Sequence, residues 1–599
     1  MNQPSRFLIC SLLGMLGPLA APAQPSGGPY GPIQQYYALP AGAAHIYYVA
    51  PDGKADAAGT APGEPTTLEA AIARVVTGDA IVLRGGTYRT GGLQLNQGIT
   101  LQPYADERPV LKGTQVATKW EALNDGVWRT PWKQLFPVKP ADWWRRHREG
   151  MRTPLHRFNN DMVFVDGRAL QSAGWEGETD ANSFSIDYEG GYVFIRFDPA
   201  GHEIEITTVD SALTRTTRAV HGKTSDGKGP VIRGLTFTQY AYRALEVEGR
   251  EPEGPADPAT FGKEVVGTTL EHVTISHCSR VAGYFRGDRL TIRNCLITDT
   301  STEGIYLIAS ADCLLEKNIF ARNNVEKITG YYPSAVKIFN QSWRVTCRDN
   351  LVIDQPDSNG IWYDVGNVGG VFVNNWIEGC LDGFFFEISK GAICAGNVFV
   401  NCDKGVRILN SSNVAVWNNT FVNTVASFER TGRSAVGDHF GWHPATGPGV
   451  GERDGHVFAN NLLVADETFG KPLLRFEQPA ALREQLTRPQ VKQLEGNVFV
   501  RQGRAKTLLV WSPAATDTTL LDLPTLEDFR KLQPQFSAHS REFADYHGPL
   551  FKSRELQRYE LARAFPGSSP ATPLPAEILQ LLGWSKDTPA FPGALRWWL

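Results

Sequence analysis

Gly360-Ile361-Trp362-Tyr363-Asp364 is followed 23 residues later by Gly383-Phe384-Phe385-Phe386-Glu387. Both stretches follow one template: glycine, apolar, aromatic, aromatic, carboxylate. In extended backbone, alternate side chains point to opposite faces. Ile361 and Tyr363 therefore share a face with Phe384 and Phe386, while Trp362 and Asp364 share the other with Phe385 and Glu387. If the copies stack as rungs, Asp364 lies beside Glu387 at a rung separation of about 4.8 Å. Two acids that close repel each other, an expensive arrangement unless chemistry uses it.

The same phase extends in both directions. Copies begin at Gly304, Ala335, Gly360, Gly383 and Gly405. The first and third positions after each start are Ile305/Leu307, Val336/Ile338, Ile361/Tyr363, Phe384/Phe386 and Val406/Ile408. All are apolar, as an inward face requires. The second and fourth positions are Tyr306/Ile308, Lys337/Phe339, Trp362/Asp364, Phe385/Glu387 and Arg407/Leu409. This outward column of aromatics, two cations and two acids suits a sugar-binding cleft.

A second marker is an Asn before two apolar or near-apolar residues. It occurs at Asn294, Asn318, Asn350, Asn375, Asn397 and Asn419, with spacings of 24, 32, 25, 22 and 22. Periods between about 20 and 50 residues indicate a solenoid, and short β-rich repeats with no helix between them select a parallel β-helix. Stacked Asn side chains can hydrogen-bond along the turns of such a ladder, so these residues are read as structural. The fold class expected is all-β: a parallel β-helix solenoid with an inserted antiparallel β-domain and a non-repetitive C-terminal tail.

The segments follow from where the pattern starts and stops. Arg6 ahead of the apolar run from Phe7 to Leu19, then Ala21-Pro22-Ala23, reads as a signal peptide over residues 1–23. The run is too short to span a bilayer, so a periplasmic or secreted protein without a membrane span is expected. Residues 45–113 read as an N-terminal cap and first coils, with Thr66 and Glu69 as a capping box ahead of a short helix. Pro109-Val110-Leu111-Lys112-Gly113 is echoed by Pro230-Val231-Ile232-Arg233-Gly234, as though the chain leaves the repeat and returns in phase. Residues 114–220 are therefore read as the insertion, 221–505 as the main β-helix, and 506–599 as an irregular and helical extension that covers the last rung or packs outside.

Composition narrows the function. The net charge of −4, with no basic stripe, argues against nucleic acid, and 15 Trp with 18 Tyr can supply carbohydrate contacts. Oligo- or polysaccharide is the expected partner, and the sequence is silent on oligomeric state. Past the signal, Cys278, Cys295, Cys313, Cys347, Cys380, Cys394 and Cys402 all fall inside the repeats without a CxxC pair, so they are read as buried structural residues rather than metal ligands. No metal or cofactor is expected. An insertion after Asn419 carries His439, Trp442 and His443, which are read as a lid that contacts substrate, with a hydrogen-bonded structural histidine pair as the alternative.

Paired carboxylates suit glycoside hydrolysis. Retaining enzymes hold the two carboxyls about 5–5.5 Å apart, and inverting enzymes about 6.5–9.5 Å apart. Adjacent rungs give the shorter spacing. Tyr306, Lys337, Trp362, Phe385 and Arg407 are the substrate-binding candidates beside the catalytic pair Asp364 and Glu387. With an Asp and a Glu on successive rungs, the chain resembles the right-handed parallel β-helix glycoside hydrolases, most of all glycoside hydrolase family 120, typified by β-xylosidases. It also resembles family 141, which is likewise β-helical and acts on different sugars. The resemblance implies a retaining mechanism with Asp364 as nucleophile and Glu387 as acid/base. Two alternatives stay open. Lys337 as base and Arg407 as neutraliser of a uronate would make a polysaccharide lyase, for which Ca²⁺ would be a cofactor. A non-catalytic binding or adhesion solenoid is the third.

Overall fold

The computed structural model describes residues 28–137, 153–252, 254, 257, 259–328, 333–432, 452–503, 506–512, 520–568 and 571–595. The expected signal segment lies outside them. Three sheets of thirteen strands each run along a single coil. Among the described residues, no helix is long and apolar enough to cross a membrane.

The sheet built by the opening template carries six consecutive strands of interest. They are β1 (Glu303–Ile308), β2 (Ser334–Phe339), β3 (Asn359–Asp364), β4 (Asp382–Glu387), β5 (Lys404–Leu409) and β6 (Val425–Glu429). All pair in parallel, and the register follows the template: Ile361 opposite Phe384, Trp362 opposite Phe385, Tyr363 opposite Phe386 and Asp364 opposite Glu387. The inward residues Ile361, Tyr363, Phe384 and Phe386 are at most 1% exposed. Each such burial contributes about 1.5–3 kcal/mol over leaving the side chain in water. The glycine that starts the template is set by close approach. A Cβ on Gly360 would meet the Gly383 carbonyl oxygen at 2.5 Å.

The Asn ladder is continuous over seven rungs. Nδ2 of Asn318, Asn350, Asn375, Asn397, Asn419 and Asn461 each donates to Oδ1 of the next Asn in the series, which ends at Asn497, at 2.9–3.1 Å. Every one of these amides is fully buried, and the ladder supplies the partners that buried polar groups need. Asn294 does not belong to it, contrary to the sequence marker. Cys295 occupies the ladder position there and donates its backbone N–H to Asn318 Oδ1. Asn294 instead takes the preceding left-handed turn position, at φ +50, as Asn374 and Asn418 do elsewhere. Asn tolerates that conformation as well as it suits a ladder, so the two positions look alike in sequence.

The antiparallel pairing of the inserted region runs from Thr114 to Thr207, with Thr114–Val116 paired to Ile204–Thr207. Two small sheets close over their own core of Val163, Phe184, Val193, Ile195, Ile204 and Ile206. Ser211–Arg215 then rejoins the coil, paired in parallel with Leu93–Leu95 and Arg243–Val247, ahead of residue 220. The echoed Pro-Val segments also differ in place. Pro109–Lys112 pairs with Thr236–Tyr240 in one sheet, whereas Val231–Arg233 pairs with Thr100–Pro103 in another.

Both ends of the coil are closed. At the N-terminal end, helix Leu68–Arg74 is capped by Thr67, whose side chain accepts from the Ala70 N–H. The expected cap, Thr66, bonds the Lys54 carbonyl instead. At the other end, Leu509–Trp511 and Arg541–Phe543 add strands beyond residue 505. Helix Leu526–Leu532 sets Phe529 against Trp511 there, while helix Ala576–Leu582 packs outside on Val373, Ala395 and Trp417. All seven described cysteines are buried and unbridged.

Candidate active site

The outward columns of β1 to β6 bring the predicted residues together. Tyr306, Lys337, Trp362, Phe385 and Arg407 occupy one position on five successive rungs. Phe339, Asp364, Glu387 and Leu409 occupy the position two residues on. Strands in one sheet lie about 4.8 Å apart, so Asp364 and Glu387 leave their backbones at that separation on the same face.

The first column is a stack. Trp362 and Phe385 lie parallel, with centroids 4.8 Å apart. Lys337 Nζ sits 3.8 Å from the centroid of the Trp362 ring, and the Arg407 guanidinium 4.7 Å from that of the Phe385 ring. Because the ladder order is Lys337, Trp362, Phe385, Arg407, each ring has a cation on one face and the other ring on its second face. Cation–π and offset stacking both favour this order. The sugar platforms expected of Trp362 and Phe385 are thus limited to ring edges. Tyr306 stacks on Tyr284, with centroids 5.0 Å apart, and its hydroxyl donates to Glu303 Oε1 at 2.7 Å.

Charge is dense and paired. Lys337 Nζ lies 3.2 Å from Asp364 Oδ2, with both side chains nearly covered at 3% and 8% exposure. Arg407 bridges two acids, Asp382 at 3.0 Å and Glu429 at 2.9 Å. Lys404 joins Glu429 at 3.2 Å. The two acids on Arg407 diverge in proton affinity. Burial pushes the Asp382 carboxyl above its ordinary range, against the pull of Arg407 and Lys404. Burial acts on Glu429 too, but Arg407 and Lys404 outweigh it and hold that carboxyl below its ordinary range. Arg407 is itself raised: burial works against its charge, and Asp382 and Glu429 overcome it.

Glu303, Asp382 and Glu429 escaped the sequence reading. Glu303 and Asp382 stand one residue before the template glycine, in Glu303-Gly304 and Asp382-Gly383, where Lys404-Gly405 continues the series. That repeated polar-glycine pair was the available signal. Glu429 falls in the β6 copy, which has no glycine start.

The two acids and the rings beside them are covered. Asp364, Glu387, Lys337, Trp362 and Phe385 are all buried. On the edge where the strands begin, the insertion packs against the coil. Arg280 Nε donates to Asn160 Oδ1 at 2.9 Å, and Arg157 pairs with Glu326 at 3.4 Å. On the opposite edge, Glu251 pairs with Arg286 and accepts from Asn340, while Gln341 donates to the Gly254 carbonyl. His439, Trp442 and His443 lie outside the described residues.

With this geometry in hand, the comparisons with known proteins bear on the fold. A family model described as a right-handed beta helix region matches residues 225–375 and 263–436. The chain is a right-handed parallel β-helix. A solved structure titled "The complex structure of XylC with xylose" is similar at a TM-score of 0.55 and 14% identity, covering 79% of this chain and 88% of that one. A "Glycoside hydrolase" follows at 0.40 and 10%, with 84% and 96% covered. Pectate lyase Pel9A follows at 0.34 and 14%, with 70% and 75% covered. No curated protein matches in sequence.

Proposed function

We propose that the protein is an exported carbohydrate-active enzyme, a retaining glycoside hydrolase of β-xylosidase type. The observation that carries this reading is the in-register pair Asp364 and Glu387 on adjacent rungs of one face, an arrangement that suits the close carboxyls, about 5–5.5 Å apart, of a retaining mechanism. The resemblance to family 120 and the xylose complex of the similar solved structure support the sugar class.

The steps follow from the roles. Glu387 gives its proton to the leaving oxygen as the glycosidic bond breaks, and an Asp364 oxygen bonds to the anomeric carbon. Glu387 then takes a proton from water, which attacks that carbon and releases Asp364. Tyr306, Trp362 and Phe385 shape the sugar site by their ring edges, and Lys337 pairs with Asp364. Burial excludes bulk water and strengthens every charge interaction there.

One observation weighs against the lyase reading. A lyase needs a cation for the uronate carboxylate and a base lysine that is released from its proton. Lys337 instead sits on Asp364, and Arg407 and Lys404 sit on Asp382 and Glu429. A neutral glycoside suits these charges better. Product masses decide between the two. Incubated with aryl glycosides and plant or bacterial polysaccharides, a hydrolase gives products heavier by one water in total. Elimination adds none and gives unsaturated, ultraviolet-absorbing ends.

A further inference from the structure

The two oxygens of Asp364 are not equivalent. Oδ2 lies 3.2 Å from Lys337 Nζ. Oδ1 is buried and has no hydrogen-bond partner. A buried carboxylate oxygen without a donor is costly, and such an atom in a native site calls for a role. The lysine is set as firmly as the acid. Its ammonium rests over Trp362 at 3.8 Å and near Phe339 at 5.4 Å, and its side chain is 3% exposed.

Resting on the retaining reading above, we infer that Lys337 is a positioning residue which fixes the rotation of Asp364 so that Oδ1 is the attacking atom. Oδ2 stays on the ammonium throughout. In the first step the bond from Oδ1 to the anomeric carbon forms, and the bond from that carbon to the leaving oxygen breaks. The leaving oxygen keeps the electron pair and takes the Glu387 proton. Lys337 needs no contact with the sugar to do this. It holds one end of the carboxylate, and the Trp362–Phe385 stack holds the lysine.

The test uses Lys337→Met, which keeps the stem packed on Trp362, and Lys337→Arg, which keeps the charge. Both are followed by stopped-flow on 2,4-dinitrophenyl β-xyloside, with thermal melting as the check on folding. A misplacement of about 1 Å costs about 100-fold in rate. Lys337→Met should therefore slow glycosyl-enzyme formation by about 100-fold while KM changes less than about 3-fold, and Lys337→Arg should regain about 10-fold. A raised KM with unchanged kcat would make Lys337 a substrate contact and overturn the inference. If Lys337→Met does not fold, the wild-type enzyme trapped with 2,4-dinitrophenyl 2-deoxy-2-fluoro-β-xyloside decides. An ester through Oδ1 with Oδ2 on Lys337 upholds the inference, and an ester through Oδ2, or Lys337 moved onto the sugar, ends it. A trapped label on Asp364 with Lys337 elsewhere removes this inference alone. No turnover and no label removes the β-xylosidase reading and this inference with it.

Discussion

Replacing Arg407 with Met separates a structural cation from one that binds substrate. Arg407 is 25% exposed and spans Asp382 and Glu429, at 3.0 and 2.9 Å. Met fills much of the same volume over Phe385 but leaves two largely buried acids, with Lys404 3.2 Å from Glu429 and the Ser427 hydroxyl donating to Glu429 at 2.8 Å. Removing one member of a buried ion pair costs about 3–5 kcal/mol, because the partner stays buried and unpaired. The loss should depend on pH. Asp382 already sits above its ordinary range through burial, so its folded form holds a proton more readily than the unfolded chain, and that contribution grows as pH falls. Glu429 in the wild type is held low, so its contribution is present at neutral pH and is lost as pH falls through its folded value. Without Arg407 both carboxyls shift upward, and the gap between variant and wild type should narrow toward pH 4. Thermal unfolding across pH measures this, and adding Asp382→Asn to Arg407→Met should recover part of the loss. A singly substituted protein with wild-type stability and a raised KM would refute the structural assignment.

Two further predictions rest on the coil. Asn375→Ala removes the acceptor of both the Asn350 backbone N–H and its Nδ2; two stranded buried donors cost about 2–6 kcal/mol. Asn294→Gly keeps a residue suited to positive φ and loses only bonds to the Pro29 and Gly31 carbonyls, so chemical denaturation should show a change of about 1 kcal/mol, and equal losses in the two variants would disprove the ladder. The thiols of Cys278, Cys295, Cys313 and Cys347 are pushed up to about 12 by burial; a thiol reagent at pH 8 should leave all four untouched in the native protein and modify them after unfolding.

The coil was legible because its template repeats in one phase. Small, apolar and aromatic residues at fixed offsets specify which side chains turn inward, and the register of Ile361 with Phe384 and Asp364 with Glu387 follows from that alone. What stayed hidden depends on contacts between distant residues. Glu429 joins Asp382 only because Arg407 lies between them in space, and its strand copy lacks the glycine start that marks Asp382. The Trp362–Phe385 pair reads in sequence as two open platforms, yet stacking along the ladder turns their faces on each other. The contacts at the acids' edge of the sheet were equally invisible, since the Gln341–Gly254 bond there joins residues 87 apart.

The role of the acid pair is tested most directly by azide. In Glu387→Ala the leaving group loses its proton donor, so poor leaving groups should suffer most while an activated aryl glycoside still forms the covalent intermediate. That intermediate should hydrolyse slowly for want of a base. Azide needs none, so it should accelerate turnover of the Glu387 variant and give a glycosyl azide of the substrate's own anomeric configuration, whereas Asp364→Ala should lose activity on every substrate. A glycosyl azide of retained configuration from the Asp364 variant with an inverted one from the Glu387 variant, or full activity in both variants, would contradict the assignment.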